Sequence, residues 1–476
     1  MNSGIKRAGL AALMALGTAL AVEAWAAEVP SITKARDYPC WRGPNGNGSA
    51  PDPGFKLVDD MSKAKLLWTS EEEIASDCKG RWAGGFSSPV VADGRVFLFY
   101  YRPHGRRTFE YNDEDKETGG SRNPTSEWHA DDVVHCFNAQ TGKTLWKHVD
   151  ERGLIGAHWK SSGHYTPCAT DGRVFVVGTT GRLYALDAAS GKPAWESYLD
   201  DRYKDAFERS KAAGESVFKR EGFNQVPCAV DGVVAVAAAG GIVGLDAASG
   251  RKLWGPVKTA GGHGGRGVGA QTIPVLWTHK GTRYFVVANT CIEPRTGKVL
   301  WQIPDALTTT APCVTEDYYI CSGIAGPKGT KAPAAGSTCF RITPEKFEKV
   351  WSLPAGRSPT MGCTDVVCGP YFVQEGTEAR NIFVIEIATG KQVATIPEGF
   401  RMFGYSPLSC QGMVFGGMYR LTHFKIGPTE FRNVSVPELP GRWCNSCSPA
   451  LADGRLYYRT VKNLVCYDLR DTSAGR

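Results

Sequence analysis

Several functional classes are excluded by what the chain has little of. The glycine-rich stretch GGHGGRG around His263 lacks a following lysine-serine pair and opens no helical pattern, so it is not a phosphate-cradling loop. Cys444 and Cys447 have C-x-x-C spacing, but no second such pair completes a zinc site and no His follows Cys447 for haem attachment. Net charge is only +7 over 476 residues, with no basic stripe interleaved with aromatics, so nucleic acid is not an expected partner. The one long apolar run is residues 8–22. It follows Lys6 and Arg7, is closed by Glu23, and is short for a membrane span. With the small-residue site at Ala24 to Ala27 it reads as a signal peptide of residues 1–27, an uncleaved anchor being the alternative. No Cys follows the run closely, so a lipoprotein anchor is not indicated. The expected product is exported, periplasmic or extracellular, with no integral membrane segment after processing, and monomeric.

Repetition is abundant. Cys136 to Trp146 reads CFNAQTGKTLW, Ala185 to Trp195 ALDAASGKPAW, Gly244 to Trp254 GLDAASGRKLW and Cys291 to Trp301 CIEPRTGKVLW, with a stretched copy from Cys339 to Trp351. Upstream of such phrases come SPVVADGRVFLF from Ser88, TPCATDGRVFVV from Thr166, VPCAVDGVVAVA from Val226 and SPALADGRLYYR from Ser448. Each unit reads as strand, Asp-Gly turn, strand, strand, Ser/Thr-Gly turn, then a short strand carrying Trp. One unit alone cannot bury an indole, so neighbouring units must stack in a ring. Weaker copies from Ala311, Val366 and Ser406 raise the count to eight. The last copy stops at LVCYDLR without its Trp, whereas AKLLWTS supplies Trp68 ahead of the first unit. The expected fold is therefore all-β: an eight-bladed β-propeller of four-stranded antiparallel blades, an N-terminal strand closing the last blade.

These phrases resemble the repeats of the quinoprotein-like (PQQ-repeat) β-propellers, over residues 64–469, and the turn-rich segment from Tyr38 to Gly48 resembles the WRGP-type leader of their secreted members. The resemblance implies either of two functions. One is an exported non-catalytic binding or scaffold propeller that recognises a protein segment, a glycan or a small anionic or planar ligand. The other is a PQQ-dependent alcohol or sugar oxidoreductase, with the quinone stacked in the funnel beside calcium and an Asp as base. Dehydrogenases of that family carry adjacent cysteines against the quinone, and this chain has none. PQQ with calcium therefore has no matched site here. Residues 28–63 are expected to form a leader packed on the ring, with Trp41 on its outside, and residues 470–476 a tail.

Of the 15 cysteines, Cys136, Cys291, Cys339 and Cys466 take the small-residue place of the Trp phrase, and Cys168, Cys228 and Cys313 share a place in first strands. These seven read as small buried hydrophobes. Disulfides are expected only among the other eight, Cys444 with Cys447 and staples at Cys40 or Cys78 included. Long links, residues 102–132, 196–222 and 326–337, fall on one rim, where a rigid scaffold carries function. From that rim Arg81, Trp82, His158, Trp159, Lys160, His164, Gln225, His263, Arg266, Gln271, Tyr405, Arg442 and Trp443 should line the funnel, cations and indoles suited to an anionic or planar ligand. Carboxylates do not cluster there, which disfavours glycoside hydrolysis and a calcium site.

Overall fold

The structure is a computed structural model. It describes residues 36–74, 85, 87–108, 126–156, 165–201, 204–212, 225–238, 240–259, 273–308, 311–327, 334–355, 365–375, 381–396, 407–416, 422–426, 431–435, 447–460 and 462–471. Eight four-stranded antiparallel sheets follow one another along the chain as the blades of a propeller. Blade 1 starts at Val90–Ala92, blade 2 at Cys168–Thr170, blade 3 at Cys228–Val230, blade 4 at Val275–His279, blade 5 at Cys313–Val314, blade 6 at Val366–Cys368, blade 7 at Leu408–Cys410 and blade 8 at Ala450–Ala452. In six of the blades the first and second strands are joined by two-residue turns in which both residues have positive φ, as at Asp93 (48°) and Gly94 (72°). That geometry follows the right-handed twist of the strands, and Asp-Gly is the sequence that tolerates it.

Blade 8 is completed by Lys65–Thr69, which pairs with Leu464–Asp468 so that Trp68 lies opposite Cys466. Pairing of the chain's two ends removes the open edge that an incomplete blade would leave.

Each phrase-ending Trp works across two blades. Within its own sheet it sits opposite the small residue, as in Cys136↔Trp146, Ala185↔Trp195 and Gly244↔Trp254. Its indole N–H then donates to the next blade: Trp68 to Ala139 O, Trp146 to Ala188 O, Trp195 to Ala247 O, Trp254 to Pro294 O, Trp301 to Thr343 O and Trp351 to Ile387 O, all at 2.7–3.3 Å. For five of the six the ring packs against the neighbour's turn glycine; the turn that receives Trp301 has none. A Cβ at Gly191 would stand 2.4 Å from the Trp146 ring, and φ there is +70°, so both space and backbone require glycine. Blade 6 has Ala394 in the Trp place, opposite Val384.

All seven repeat-position cysteines are buried and unbridged. Cys136, Cys291, Cys339 and Cys466 each lie opposite a Trp, where other copies have Ala or Gly, whereas Cys168, Cys228 and Cys313 lie in first strands opposite Phe175, Ala235 and Ile320.

The leader departs from expectation. Trp41 is not on the outside; it is buried among Val226, Ile273, Val275 and Ala311, at the starts of blades 3, 4 and 5. Leader backbone pairs with the middle of inner strands around the ring. Tyr38 N donates to Val91 O, Ala169 N to Pro39 O, Val367 N to Asn47 O, and Ser409 N to Gly48 O, at 2.7–3.1 Å. The segment thus crosses the axis. Unpaired N–H and C=O groups on eight inner strands favour a peptide there over an apolar plug.

On the long-link rim, residues 102–132 are not simply a loop. Blade 1's second, third and fourth strands run on as Arg95–Thr108, Ser126–Asn138 and Thr144–Gly156, forming a three-stranded arm. The helix-compatible segment after blade 2 contains the helix Ala206–Ala212, whose Phe207 ring lies 4.9 Å from that of His129 on the arm.

Replacing Trp68 by Ala, or truncating before Ser70, should destabilise the ring by about 3–5 kcal/mol, read as a lower urea midpoint. A truncated protein as stable as the parent would show that the closing strand is dispensable.

Candidate functional site

Two polar constellations lie within the described residues, one on the axis and one under the arm. At the axis, Arg42 is wholly buried. Its guanidinium donates to Pro312 O at 3.0 Å, to Cys313 Sγ at 2.9 Å and to Asp365 O at 2.5 Å. Asn47 Nδ2 donates to Val314 O at 2.7 Å. Arg42 itself has φ +65°, and the next residue, Gly43, lies so close to Tyr38 that a Cβ would meet its ring at 2.7 Å. Burial pushes the Asp365 carboxyl up to about 8, against the Arg42 charge and with help from Glu375. The leader's cation and amide are thereby committed to inner-strand carbonyls of blades 5 and 6.

Beneath the arm, blade 1 and blade 2 share a buried network. Asp150 accepts from Arg152 Nε at 2.7 Å and Nη2 at 3.1 Å, and from Arg182 Nη1 and the Tyr184 hydroxyl. Arg182 also donates to the Tyr198 hydroxyl. Burial by itself would raise the Asp150 carboxyl, but hydrogen bonds from Arg152 and Tyr184 and the Arg182 charge hold it below the ordinary range. Asp132 accepts from Thr179 N at 2.8 Å and Thr179 Oγ1 at 2.9 Å, while Thr179 Oγ1 accepts from Leu154 N at 2.9 Å. Burial pushes Asp132 up to about 7, Thr179 opposing and the Asp150 charge reinforcing. Close approach matters here: a Cβ at Gly178 would stand 2.5 Å from Asp132 Oδ2. Above the network the arm shows solvent a mixed set of charges, with Arg102 and His104 on Asp131 at 3.1 and 3.2 Å and Arg152 on Glu196 at 3.6 Å.

Of the funnel residues read from the sequence, Gln225 is described and is buried at the start of blade 3. Arg81, Trp82, His158, Trp159, Lys160, His164, His263, Arg266, Gln271, Tyr405, Arg442 and Trp443 lie outside the described residues. So do Cys78 and Cys444; Cys447 is buried. Among the described residues no group of three or more His, Cys, Asp or Glu could hold a metal ion.

The family model described as outer membrane protein assembly factor BamB matches residues 130–316, from the arm of blade 1 into blade 5. The quinohemoprotein alcohol dehydrogenase of Comamonas testosteroni has a similar fold, with TM-score 0.52 at 13% identity over 95% of this chain and 84% of that one. This chain folds as an eight-bladed β-propeller, and residues 130–316 of it are similar to the family of that model. A europium-containing methanol dehydrogenase (TM-score 0.48, 11% identity, 92% and 90% covered) and BamB of Moraxella catarrhalis (0.35, 14%, 72% and 81%) are too distant in shape to bear on the argument. No curated protein matches the sequence. At this identity the likeness establishes the propeller fold alone, and chemistry must be argued from the residues.

Sequence reasoning missed both constellations. Asp132 and Asp150 sit beside other charged residues, Asp131 in the one case and Glu151 and Arg152 in the other, and Arg182 merely opens its strand, so none stands out in the pattern. Arg42 carries no signal either, because a leader arginine looks the same whether solvated or buried.

The pH behaviour of the propeller should report Asp132. Its folded value is raised, so its contribution to stability is full below about 4 and is lost as pH rises through about 7. Urea unfolding between pH 5 and 8 should show parent stability falling by up to about 1.4 kcal/mol per unit from this group. Asp132→Asn should flatten that fall. A variant with the parent's pH slope would show that Asp132 is ionised in the fold.

Proposed function

We propose that the protein is an exported, non-catalytic scaffold or binding propeller whose decorated rim recognises a protein segment or an anionic or planar ligand. The observation that carries this reading is the braced arm. Arg182 and Asp150, each with only 4% of its side chain exposed, form an ion pair beneath an exposed projection. Desolvating two charges costs several kcal/mol that their attraction recovers only with good geometry, so such a pair argues for specified position rather than for stability. Rigid support under an exposed polar surface is what a presenting surface needs. The axis, in turn, is occupied by the protein's own leader. Among the described residues no helix is long and apolar enough to cross a membrane. Export rests on Lys6, Arg7 and the apolar run that follows them.

In titrations of mature protein with PQQ and calcium, absorbance should show no stoichiometric uptake, and dye-linked alcohol oxidation should stay at background. Stoichiometric uptake with dye reduction would establish the oxidoreductase instead. A photocrosslinking residue at Arg102 or Arg152 should give a discrete adduct in producing cells, and the same probe at exposed Arg341 on blade 5 should not. Equal labelling at all three would remove the rim from consideration. If the ligand is anionic, Arg266→Ala with Arg442→Ala should weaken its binding by roughly 1.5–3 kcal/mol per charged hydrogen bond, with the melting profile unchanged.

A further inference from the structure

Where the leader crosses the inner strand of blade 2, two thiols come together. Cys40 lies in one buried cluster with Cys168 of blade 2. Its thiol donates to Gly43 O at 3.0 Å. The two backbones are adjacent as well, because Ala169 N donates to Pro39 O at 2.7 Å. Cys228 opens the first strand of blade 3 and belongs to a separate buried cluster. All three are buried and unbridged.

We propose that Cys40 and Cys168 are the two halves of a disulfide that locks the leader into the propeller axis. The bridge runs from leader to ring, so the separation of first and third strands within one blade, which keeps repeat-position cysteines apart, does not forbid it. It would make Cys168 the exception among those seven.

The oxidant is a low-molecular-weight disulfide such as oxidised glutathione. The Cys40 thiolate attacks one of its sulfurs and releases one reduced glutathione; the Cys168 thiolate then attacks the mixed disulfide at the Cys40 sulfur and releases the second. Two protons leave, the protein loses two hydrogens, and the glutathione disulfide is reduced. In the docked leader, the Cys168 thiol and burial raise the Cys40 thiol well above its ordinary range. Thiolate is the attacking form, so exchange belongs to the state in which the leader is still docking. Once the leader is seated, the same burial shields the bond from reductant. Export is not required, since the oxidant is supplied in the test.

The test is refolding of the mature protein in an oxidised and reduced glutathione mixture, alkylation of free thiols, and peptide mapping without reduction. The expected result is a peptide pair joined through Cys40 and Cys168, with Cys228 alkylated after denaturation. The oxidised protein should unfold at a higher temperature than the same sample kept reduced, because the cross-link restricts the unfolded chain over a long loop. Cys40→Ala and Cys168→Ala should each abolish both the joined peptide and the temperature difference, and Cys228→Ala should keep them. Recovery of Cys40 and Cys168 as alkylated thiols, or of Cys40 joined to Cys228 or Cys78, overturns the proposal. The parent's map decides the pairing even where a variant fails to fold.

Discussion

The ring depends on one contact made again and again: an indole laid on the turn of the next blade, its N–H on a carbonyl of that turn. A blade here is a thin sheet that cannot bury a large aromatic ring by itself. By placing the ring on the outer strand, over a small residue of the same sheet, the sequence makes burial of each Trp conditional on the presence of a neighbour. The Trp68 contact has the further property of joining the chain's ends, since that indole sits on blade 8 and reaches the turn of blade 1. Ring closure and indole burial are therefore a single event. In blade 6, where Ala394 stands in the Trp place, Ile396 and Ile426 are among the apolar residues packed between blades 6 and 7.

A closed ring of eight sheets creates a second problem at its centre. The inner strands present backbone groups toward the axis, and buried groups of that kind must be paired. Here the leader supplies the partners, through its own backbone and through Arg42 and Asn47. Glycines at 43, 46 and 48 permit the approach, since a Cβ at each would come within 2.5–2.7 Å of a neighbouring atom.

The arm shows the opposite balance. Its buried charges are costly, and they fix the junction of blades 1 and 2 on the rim where the arm leaves the ring. Asp132 and Asp150 are driven apart in acidity by their surroundings, one raised to about 7 by burial and the other held below the ordinary range by Arg152, Tyr184 and Arg182. Between those two values one neutral and one charged acid avoid the repulsion that two carboxylates in the same network would suffer.

What the sequence by itself determined is everything that recurs. The blade count, the type of turn, the small residue under each indole, the burial of the repeat cysteines and the closing strand were all legible, because each copy confirms the others and the physical demands are local. Trp68 could be assigned to blade 8 because a missing Trp at one end and a surplus one at the other have one joint solution. What only the tertiary structure decided is what occurs once. Whether Trp41 lies outside the ring or crosses its axis depends on which backbone groups await a partner hundreds of residues away. Arg42, Asp132, Asp150 and Arg182 acquire their roles only where separate blades meet, and a single sequence contains no repetition from which such meetings could be read.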